Sequence, residues 1–269
     1  MTRTRWSAYN ELAWVETIVA PPGEYAEETE HCCGLIEAQA RIPVKTLLHL
    51  GCGAGGNDFT FKKRFKVTGV DVSPGMLAIA RKRNPDVVYI EGDMRTVRLR
   101  DRFDAVAIPD SIGYMTARGD LRRAVETSRR HLKPGGVLLI VALVREDFRE
   151  NNFVYTGSGK GVRVTIFENN GSAGPGKTTY DAVIVYLVRR GAKVEARTER
   201  HVQGLFPLAA WLATLRAAGF DVRRTKIGHA YDRFLQGDGK YVQRVFVCRM
   251  PLPPGSRAAR AGVRNSRGK

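Results

Sequence analysis

At 269 residues the chain is long enough to bury one sizeable hydrophobic core, and with 43% hydrophobic and 26% charged residues its composition is that of an ordinary globular protein. Its formal net charge of +17 raises the question of an anionic partner. However, no aromatic residues alternate with the basic ones and no nucleic-acid-binding module is visible, so nucleic acid is not the favoured partner.

Membrane insertion and disulfide-based folding are not expected. The N-terminal stretch MTRTRWSAYNELAW has no apolar core of signal type. The longest apolar run, residues 137–144, is too short to span a bilayer. Four cysteines in a chain of this size do not make a disulfide framework, and no Cys/His cluster has metal-ligand spacing. We therefore expect a cytoplasmic protein with free thiols and no bound metal.

The first elements in chain order are two helices, predicted at residues 9–19 and 24–40 and separated by Pro21-Pro22-Gly23. Apolar strands then alternate with helices. Strands are predicted at 47–50, 66–72, 86–94, 103–111 and 136–144, with helices at 57–64, after Ser73-Pro74, and at 120–132. This alternation predicts βαβ units and a parallel sheet that is buried on both faces.

The pattern changes after the fifth strand. Residues 161–169, 178–190 and 192–204 read as strands, with Arg190-Gly191 linking the last two as a tight hairpin. This predicts an antiparallel insertion. A helix at 207–220 ending at Gly219 and two closing strands at 220–227 and 241–250 complete the chain, before a basic tail.

The stretch TLLHLGCGAGG, residues 46–56, predicts a strand, a glycine-rich turn and a helix start. It matches the dinucleotide fingerprint G-x-G-x-x-G, and Asp71 lies about 20 residues on, where an acid binds ribose hydroxyls. The same turn would also suit S-adenosylmethionine (SAM), for which glycine serves close approach rather than phosphate capture. The turn alone does not separate these two cofactors.

Other motifs favour SAM. Asp93, in IEGDM, follows the third strand, where a carboxylate can accept from an adenine amino group, and HLKPGG precedes the fifth strand. With LLHLGCGAGG, VTGVDVSPGMLAIARKR and FDAVAIPDSIGYM, these motifs place residues 46–144 in an arrangement that resembles class I SAM-dependent methyltransferases. NAD-dependent hydride transfer is disfavoured, because no second catalytic constellation suited to it is present.

The resemblance implies a Rossmann-like α/β fold with a seven-stranded, mostly parallel sheet and an antiparallel β insertion after strand 5. It divides the chain into N-terminal helices covering the cofactor (1–45), a SAM-binding core (46–150), a β lid (151–205), the C-terminal part of the core (206–250) and a basic disordered tail (251–269). SAM is the implied cofactor and S-adenosylhomocysteine (SAH) its product. The implied cofactor residues are Tyr25, His49, Gly51, Cys52, Gly53, Asp71, Val72, Met76, Asp93, Met94 and Pro109.

Further stretches, EYAEETEHCCGLI, SIGY, TERHVQGLF and WLATLRAAGFDV, resemble the branch that contains amino-sugar N,N-dimethyltransferases. In that branch the tyrosine corresponding to Tyr25 packs by the methionine end of SAM, and the insertion covers the acceptor pocket. The chain departs from the branch at His49, where an acid is usual, at Val15-Glu16 in place of Tyr-Asp, and at Pro109-Asp110. We expect His49 near the methionine end of SAM.

Three residues are the catalytic candidates. Asp110 and Tyr114 follow the fourth strand, at the carboxyl edge of the sheet where ligands bind, and His201 comes from the insertion. Asp110 would attract a protonated amine, and Tyr114 or His201 would take its proton. The alternatives are structural: a helix-capping Asp110, a Tyr114 that only packs the pocket wall and a buried structural His201. Tyr155 and Tyr231 are weaker pocket candidates.

The sequence therefore favours methyl transfer to a small molecule, at nitrogen rather than oxygen. Two alternatives stay open. One is a methyltransferase acting on RNA or protein, which the charge of +17 favours. The other is a non-catalytic SAM-binding regulatory module, which the changes at His49 and in the first helix allow. A homodimer is compatible with all of these.

Overall fold

The computed structural model describes residues 6–172, 174, 176–228, 231–237, 241–253 and 255. The strands are β1 (Thr46–Leu50), β2 (Lys66–Asp71), β3 (Val88–Glu91), β4 (Phe103–Ile108), β5 (Leu132–Ala142), β6 (Asn151–Gly159), β7 (Val162–Ser172), β8 (Thr179–Arg190), β9 (Lys193–Gly204), β10 (Asp221–Ile227), β11 (Leu235–Gln236) and β12 (Gln243–Arg249). The helices are α1 (Glu16–Val19), α2 (Ala26–Gln39), α3 (Asp58–Phe61), α4 (Pro74–Arg83), α5 (Arg118–His131) and α6 (Leu208–Ala217).

A seven-stranded sheet carries the alternating part of the chain, in the order β10-β12-β5-β4-β1-β2-β3. Strands β1 to β5 run parallel, and β12 is antiparallel to both β5 and β10. Every residue of β4 is buried, because helices cover both faces of the sheet. The predicted α/β fold with a mostly parallel seven-stranded sheet is therefore confirmed.

The insertion after β5 forms a second, antiparallel sheet in the order β11-β6-β7-β8-β9. The sequence predicted three of its strands but neither β6 nor β11. Strand β6 reads NNFVYTGSG, whose polar and glycine residues hide the alternation of a strand. Strand β11 has two residues, and it forms by pairing Leu235 with Phe153 and Gln236 with Asn152. A piece of the C-terminal region thus joins the insertion.

The predicted first helix at 9–19 is wrong. Residues 6–25, which we call the N-terminal arm, contain 3₁₀ turns at Ser7–Tyr9, Ala13–Val15 and Pro22–Tyr25, and only the four-residue α1 is α-helical. The reason is that the arm packs on two different surfaces. Leu12 and Val15 pack against the second sheet, whereas Ala13 packs against Ala54 beside the glycine turn. One straight helical face would not reach both surfaces.

Local capping signals are confirmed. The Ser73 hydroxyl accepts from the backbone N–H of Met76 at 3.1 Å and so caps α4. Helix α6 is followed by Gly219 at φ +82°, a conformation that favours glycine. The hairpin between β8 and β9 turns at Gly191, with Arg190 paired with Lys193.

The two sheets and the N-terminal arm meet at the carboxyl ends of the parallel strands. Met115, after β4, lies against Gly204 at the end of β9, and Ile18 of the arm lies against Gly157 of β6. We call the space enclosed by the carboxyl ends of β1, β2 and β4, the second sheet and the arm the cleft. Of the predicted disordered tail, residues 251–269, all but 251–253 and 255 lie outside the described residues.

Candidate active site

The glycine turn directly follows β1 and forms one side of the cleft. The backbone N–H groups of Gly51 and Cys52 donate to the carbonyl oxygen of Val70 at 2.7 and 3.0 Å. Gly51 and Gly53 have φ angles of +75° and +52°. A Cβ at Gly51 would collide with the Ser111 side chain, whereas one at Gly53 would meet nothing within 4 Å. The turn is therefore tightly held on one side and open on the other.

Asp71 ends β2 next to the turn, and its two carboxylate oxygens accept from the N–H groups of Gly53 and Ser73, each at 2.8 Å. Burial raises its pKa, and these two hydrogen bonds oppose that rise. The next residue, Val72, is 43% exposed, which is unusual for a large apolar side chain. An open glycine turn, a carboxylate and an uncovered apolar side chain fit the ribose and adenine of SAM.

The arm reaches the turn through Tyr25. The Tyr25 ring occupies the place that a Cβ on Gly56 would take, and its hydroxyl donates to Glu16 at 2.7 Å. Met76 is buried in a small cluster with Ala13 of the arm and Ala54 of the turn. Tyr25 and Met76, both predicted as cofactor residues, thus lie where the arm meets the turn.

Three more predicted cofactor residues follow β3 and β4. Asp93 accepts from the guanidinium of Arg95, with a shortest distance of 2.6 Å, and keeps 23% of its side chain exposed. Met94 is buried beside Gly51. Pro109 is buried at the end of β4, and its carbonyl accepts from the N–H of Ser111 at 2.9 Å.

His49 lies behind the turn, 1% exposed. Its Nδ1 is 2.6 Å from Oδ1 of Asp58, and its ring meets the edge of Phe61. The other oxygen of Asp58 accepts from the Tyr89 hydroxyl at 2.9 Å, while His49 Nε2 is buried and has no hydrogen-bond partner among the described residues. His49 is therefore paired with a buried carboxylate, Asp58 of α3.

The structure brings Tyr114 and His201 into contact. The Tyr114 hydroxyl lies 2.8 Å from His201 Nδ1, and His201 Nε2 lies 3.1 Å from a Glu199 carboxylate oxygen. Burial lowers the pKa of His201, although Glu199 opposes this. Burial opposes ionisation of Glu199, but hydrogen bonds from Ser7, His201 and the N–H of Ala8 outweigh it and lower the pKa of this carboxyl. The resulting state is a neutral imidazole between a phenol and a carboxylate.

The arm covers this group. The Tyr9 hydroxyl hydrogen-bonds to the Tyr114 hydroxyl, and the Trp6 ring lies 4.9 Å from the rings of both Tyr114 and His201. Glu199 accepts from the N–H of Ser7 at 2.7 Å. The arm thereby ties the second sheet to the end of β4.

Asp110 stands apart from these two. It occupies the left-handed region, with φ 66°, and accepts from the Tyr231 hydroxyl at 2.9 Å and from Gln243 Nε2 at 2.7 Å. It precedes the 3₁₀ turn Ser111–Tyr114 but makes no capping bond to it, so a capping role is not what the structure shows. The three catalytic candidates therefore form one pair and one separate carboxylate.

Sequence reasoning missed Tyr9, Trp6 and Glu199. A signal was available for Glu199, because residues two apart on a strand share a face, and Glu199 precedes His201 by two on β9. No such signal exists for Tyr9 and Trp6, since their contacts with His201 join residues nearly 200 positions apart and depend on how the arm folds back.

Within the described ranges, no set of three or more His, Cys, Asp or Glu side chains is grouped as a metal ion would require. The four cysteines are all buried and free. In the same part of the chain, every helix is too short or too polar to cross a bilayer.

Comparison with known proteins finds related methyltransferases. A profile described as a methyltransferase domain matches residues 47–136. The chain is 31% identical over 202 residues, covering 74% of this chain and 84% of the relative, to the dTDP-3-amino-3,4,6-trideoxy-alpha-D-glucopyranose N,N-dimethyltransferase of Streptomyces venezuelae. It is 32% identical over 186 residues, 67% of this chain and 74% of the relative, to the dTDP-4-amino-2,3,4,6-tetradeoxy-D-glucose N,N-dimethyltransferase of Saccharopolyspora spinosa.

Solved structures agree. Streptomyces venezuelae DesVI superposes with a TM-score of 0.72 at 26% identity, covering 90% of this chain and 96% of that one. A SAM-bound amino pentose methyltransferase from Micromonospora echinaspora gives 0.70 at 25% identity, covering 93% and 99%. The chain therefore belongs to the class I SAM-dependent methyltransferases, which are enzymes that use SAM.

Proposed function

We propose that this enzyme transfers methyl groups to the amino nitrogen of a small molecule of the amino-sugar type. The names of the relatives support this class of acceptor. The observation that carries the proposal is the hydrogen-bonded series Tyr114–His201–Glu199, in which Tyr114 follows β4 and the other two lie on β9. An amine acceptor must give up a proton, and this series of groups can accept one. Free buried thiols suit the cytoplasm, where we infer that the enzyme acts.

For the cofactor, we propose that Asp71 accepts from the ribose hydroxyls and that Gly51, Cys52 and Gly53 pass beneath the ligand. The adenine would be surrounded by Val72, Met76, Asp93 and Met94. The methionine end would lie against Tyr25 and Pro109, with His49 behind the turn. When bound, SAM supplies a methyl group that its sulfonium already activates. The protein's remaining work is to orient the acceptor, to exclude water and to move a proton.

The proton path follows from the hydrogen bonds. A neutral His201 accepts from the Tyr114 hydroxyl at Nδ1 and donates from Nε2 to Glu199. A proton from the acceptor amine can therefore pass to the Tyr114 oxygen while the Tyr114 proton moves to His201 Nδ1. Glu199, with its lowered pKa, stabilises the imidazolium that results.

The test is methylation of a panel of amino sugars and small amines, scored by mass spectrometry for a 14-dalton gain per methyl group. With an accepted amine, His201→Gln is expected to lower kcat by about a hundredfold, the usual scale for a positioned base, with SAM affinity retained. His31→Gln, on the exposed face of α2, is the matched control and should retain full activity. A loss of tenfold or less in both His201→Gln and Tyr114→Phe would contradict the proposed proton path.

A further inference from the structure

Among the residues that the structure describes, Asp110 has no counter-ion. Its two hydrogen-bond donors, Tyr231 and Gln243, are neutral. Among the described residues, none of the ion pairs involves Asp110. The side chain keeps accessible surface, yet protein surrounds it closely enough for burial to raise its pKa. The carboxylate is exposed and lies after β4, between Tyr231 and the start of β12.

The backbone at Asp110 is itself unusual. A φ of 66° is a sparsely populated conformation for a residue with a side chain, although Asp tolerates it better than most. Such conformations persist where the surrounding structure holds them, and they concentrate at ligand sites. Here the conformation turns the carboxylate toward the start of β12 and toward Tyr231, on the side of the second sheet.

Aromatic rings lie beside this carboxylate. Tyr231, Tyr241 and Phe153 contact one another edge to face, with ring centroids 5.1 to 6.3 Å apart. Both tyrosines keep part of their surface accessible. A carboxylate next to aromatic faces is the combination that binds ammonium groups, through charge and through the ring quadrupole.

A second carboxylate reinforces the negative charge. Glu168 of β7 accepts from Asn170 Nδ2 at 2.8 Å and lies near the Tyr155 hydroxyl, again neutral donors. Glu168 is paired with Phe153 across β6 and β7, so the two side chains share a face of the second sheet, and the Phe153 ring contacts Tyr231, which donates to Asp110. Burial raises the pKa of Glu168, and the charge of Asp110 adds to that rise. No ion pair of the described residues includes Glu168.

Two arginines of the described chain that adjoin this region already have partners. Arg244 follows Gln243 and pairs with Asp147, and Arg233 follows Tyr231 by two residues and pairs with Glu24. Neither of these two described arginines therefore neutralises the wall around Asp110.

We propose that the wall formed by Asp110, Glu168 and the rings of Tyr231, Tyr241 and Phe153 selects an acceptor that carries a positive charge and no phosphate. This inference rests on the proposed amine acceptor and narrows it. The relatives named above act on dTDP-linked sugars, whose diphosphate is anionic. An anion of that kind would face two carboxylates here, whereas a free amino sugar or another cationic amine would provide the missing counter-ion.

The test is calorimetric binding to the full-length protein saturated with SAH. The probes are choline, its neutral isostere 3,3-dimethylbutan-1-ol, and thymidine diphosphate. Choline should bind at least tenfold more tightly than the isostere, and thymidine diphosphate should neither bind nor displace choline. Asp110→Asn should remove the preference for choline, because Asn keeps the left-handed backbone and the hydrogen-bonding shape without the charge. Asp86→Asn, at an exposed surface pair with Lys62, is the matched control.

Equal binding of choline and its isostere, no binding of either, or tighter binding of thymidine diphosphate would overturn the inference. So would a loss of SAH affinity in Asp110→Asn, since the carboxylate would then serve the cofactor. These equilibrium measurements do not depend on turnover. Failure of every amine in the methylation panel would instead contradict the proposed function and leave the charge preference of the cleft measurable.

Discussion

At the scale of single residues, the protonation of His201 should make the rate of methyl transfer depend on pH. Burial lowers its pKa, so its neutral form is fully present above the ordinary histidine value of about 6.5 and is lost as pH falls through the lowered value. We expect single-turnover methyl transfer to fall on the acid side through this group. In His201→Gln that acid limb should disappear together with most of the rate, as a pH profile of both proteins would show.

An acid limb that persists unchanged in His201→Gln would assign it to the acceptor amine alone. Glu199→Gln separates the two causes further. Removing this charge leaves a protonated His201 without its partner, so the midpoint of the limb should move to lower pH.

We expect the charge of Asp110 to lower the stability of the folded protein even though it serves acceptor binding. Because burial raises its pKa above the unfolded value of about 3.9, the native state binds the proton more tightly, and the charge destabilises the native state once the carboxyl ionises. Asp110→Asn should therefore raise the melting temperature at pH 7, and the gain should vanish below about pH 4. The buried Gln243 Oε1, which has no partner in the described structure, can accept from the new amide.

Thermal melts of both proteins between pH 3.5 and 8 would check this. A lower melting temperature for Asp110→Asn at pH 7 would show that the carboxylate supports the fold, and the functional interpretation of its missing counter-ion would fail with it.

At the scale of elements, the N-terminal arm lies across the start of α4. A Cβ on Gly75 would meet the Tyr9 carbonyl oxygen at 2.7 Å and the Asn10 Cα at 2.9 Å. The Ser73 hydroxyl also donates to that carbonyl. Because these are backbone atoms, Gly75→Ala must push the arm away from the start of α4, which directly follows Asp71 and Val72 in the chain.

We therefore expect Gly75→Ala to weaken SAM binding by tenfold or more and to lower kcat, since Tyr9 would also leave Tyr114. Gly34→Ala is the matched control, because a Cβ at this exposed position of α2 meets nothing within 4 Å. It should keep activity and gain about 0.5–1 kcal/mol of stability from helix propensity. Equal SAM affinity in the two variants would mean that the arm does not cover the cofactor.

At the scale of the whole molecule, the net charge of +17 and the acidic wall of the cleft are separate features. We expect RNA to bind weakly, with a steep loss of affinity between 50 and 200 mM salt. RNA should not slow methylation of a small amine, because it contacts the outer surface. Inhibition by RNA that competes with the amine acceptor would instead favour the RNA-methyltransferase alternative, and a filter-binding titration run alongside the activity assay would show it.

Whether a feature can be predicted from the sequence depends on how far apart along the chain its interacting residues lie. Local chemistry predicted the Ser73 cap, the Gly219 stop and the hairpin at Gly191, because each needs only a few neighbouring residues. The strand β11 and the 3₁₀ turns of the arm were not predictable in this way. Both form because distant parts of the chain pack against them.

The sequence alone determined the fold class, since the alternation of strands and helices follows from apolar periodicity, and its motifs indicated SAM through their resemblance to class I methyltransferases. Only the tertiary structure decided that Tyr114 joins His201 while Asp110 stands apart, and that Asp58 accompanies His49 behind the turn. The physical reason is that charges and hydroxyls act over a few ångströms of space. The spacing of residues along the chain does not specify which of them folding brings within that distance.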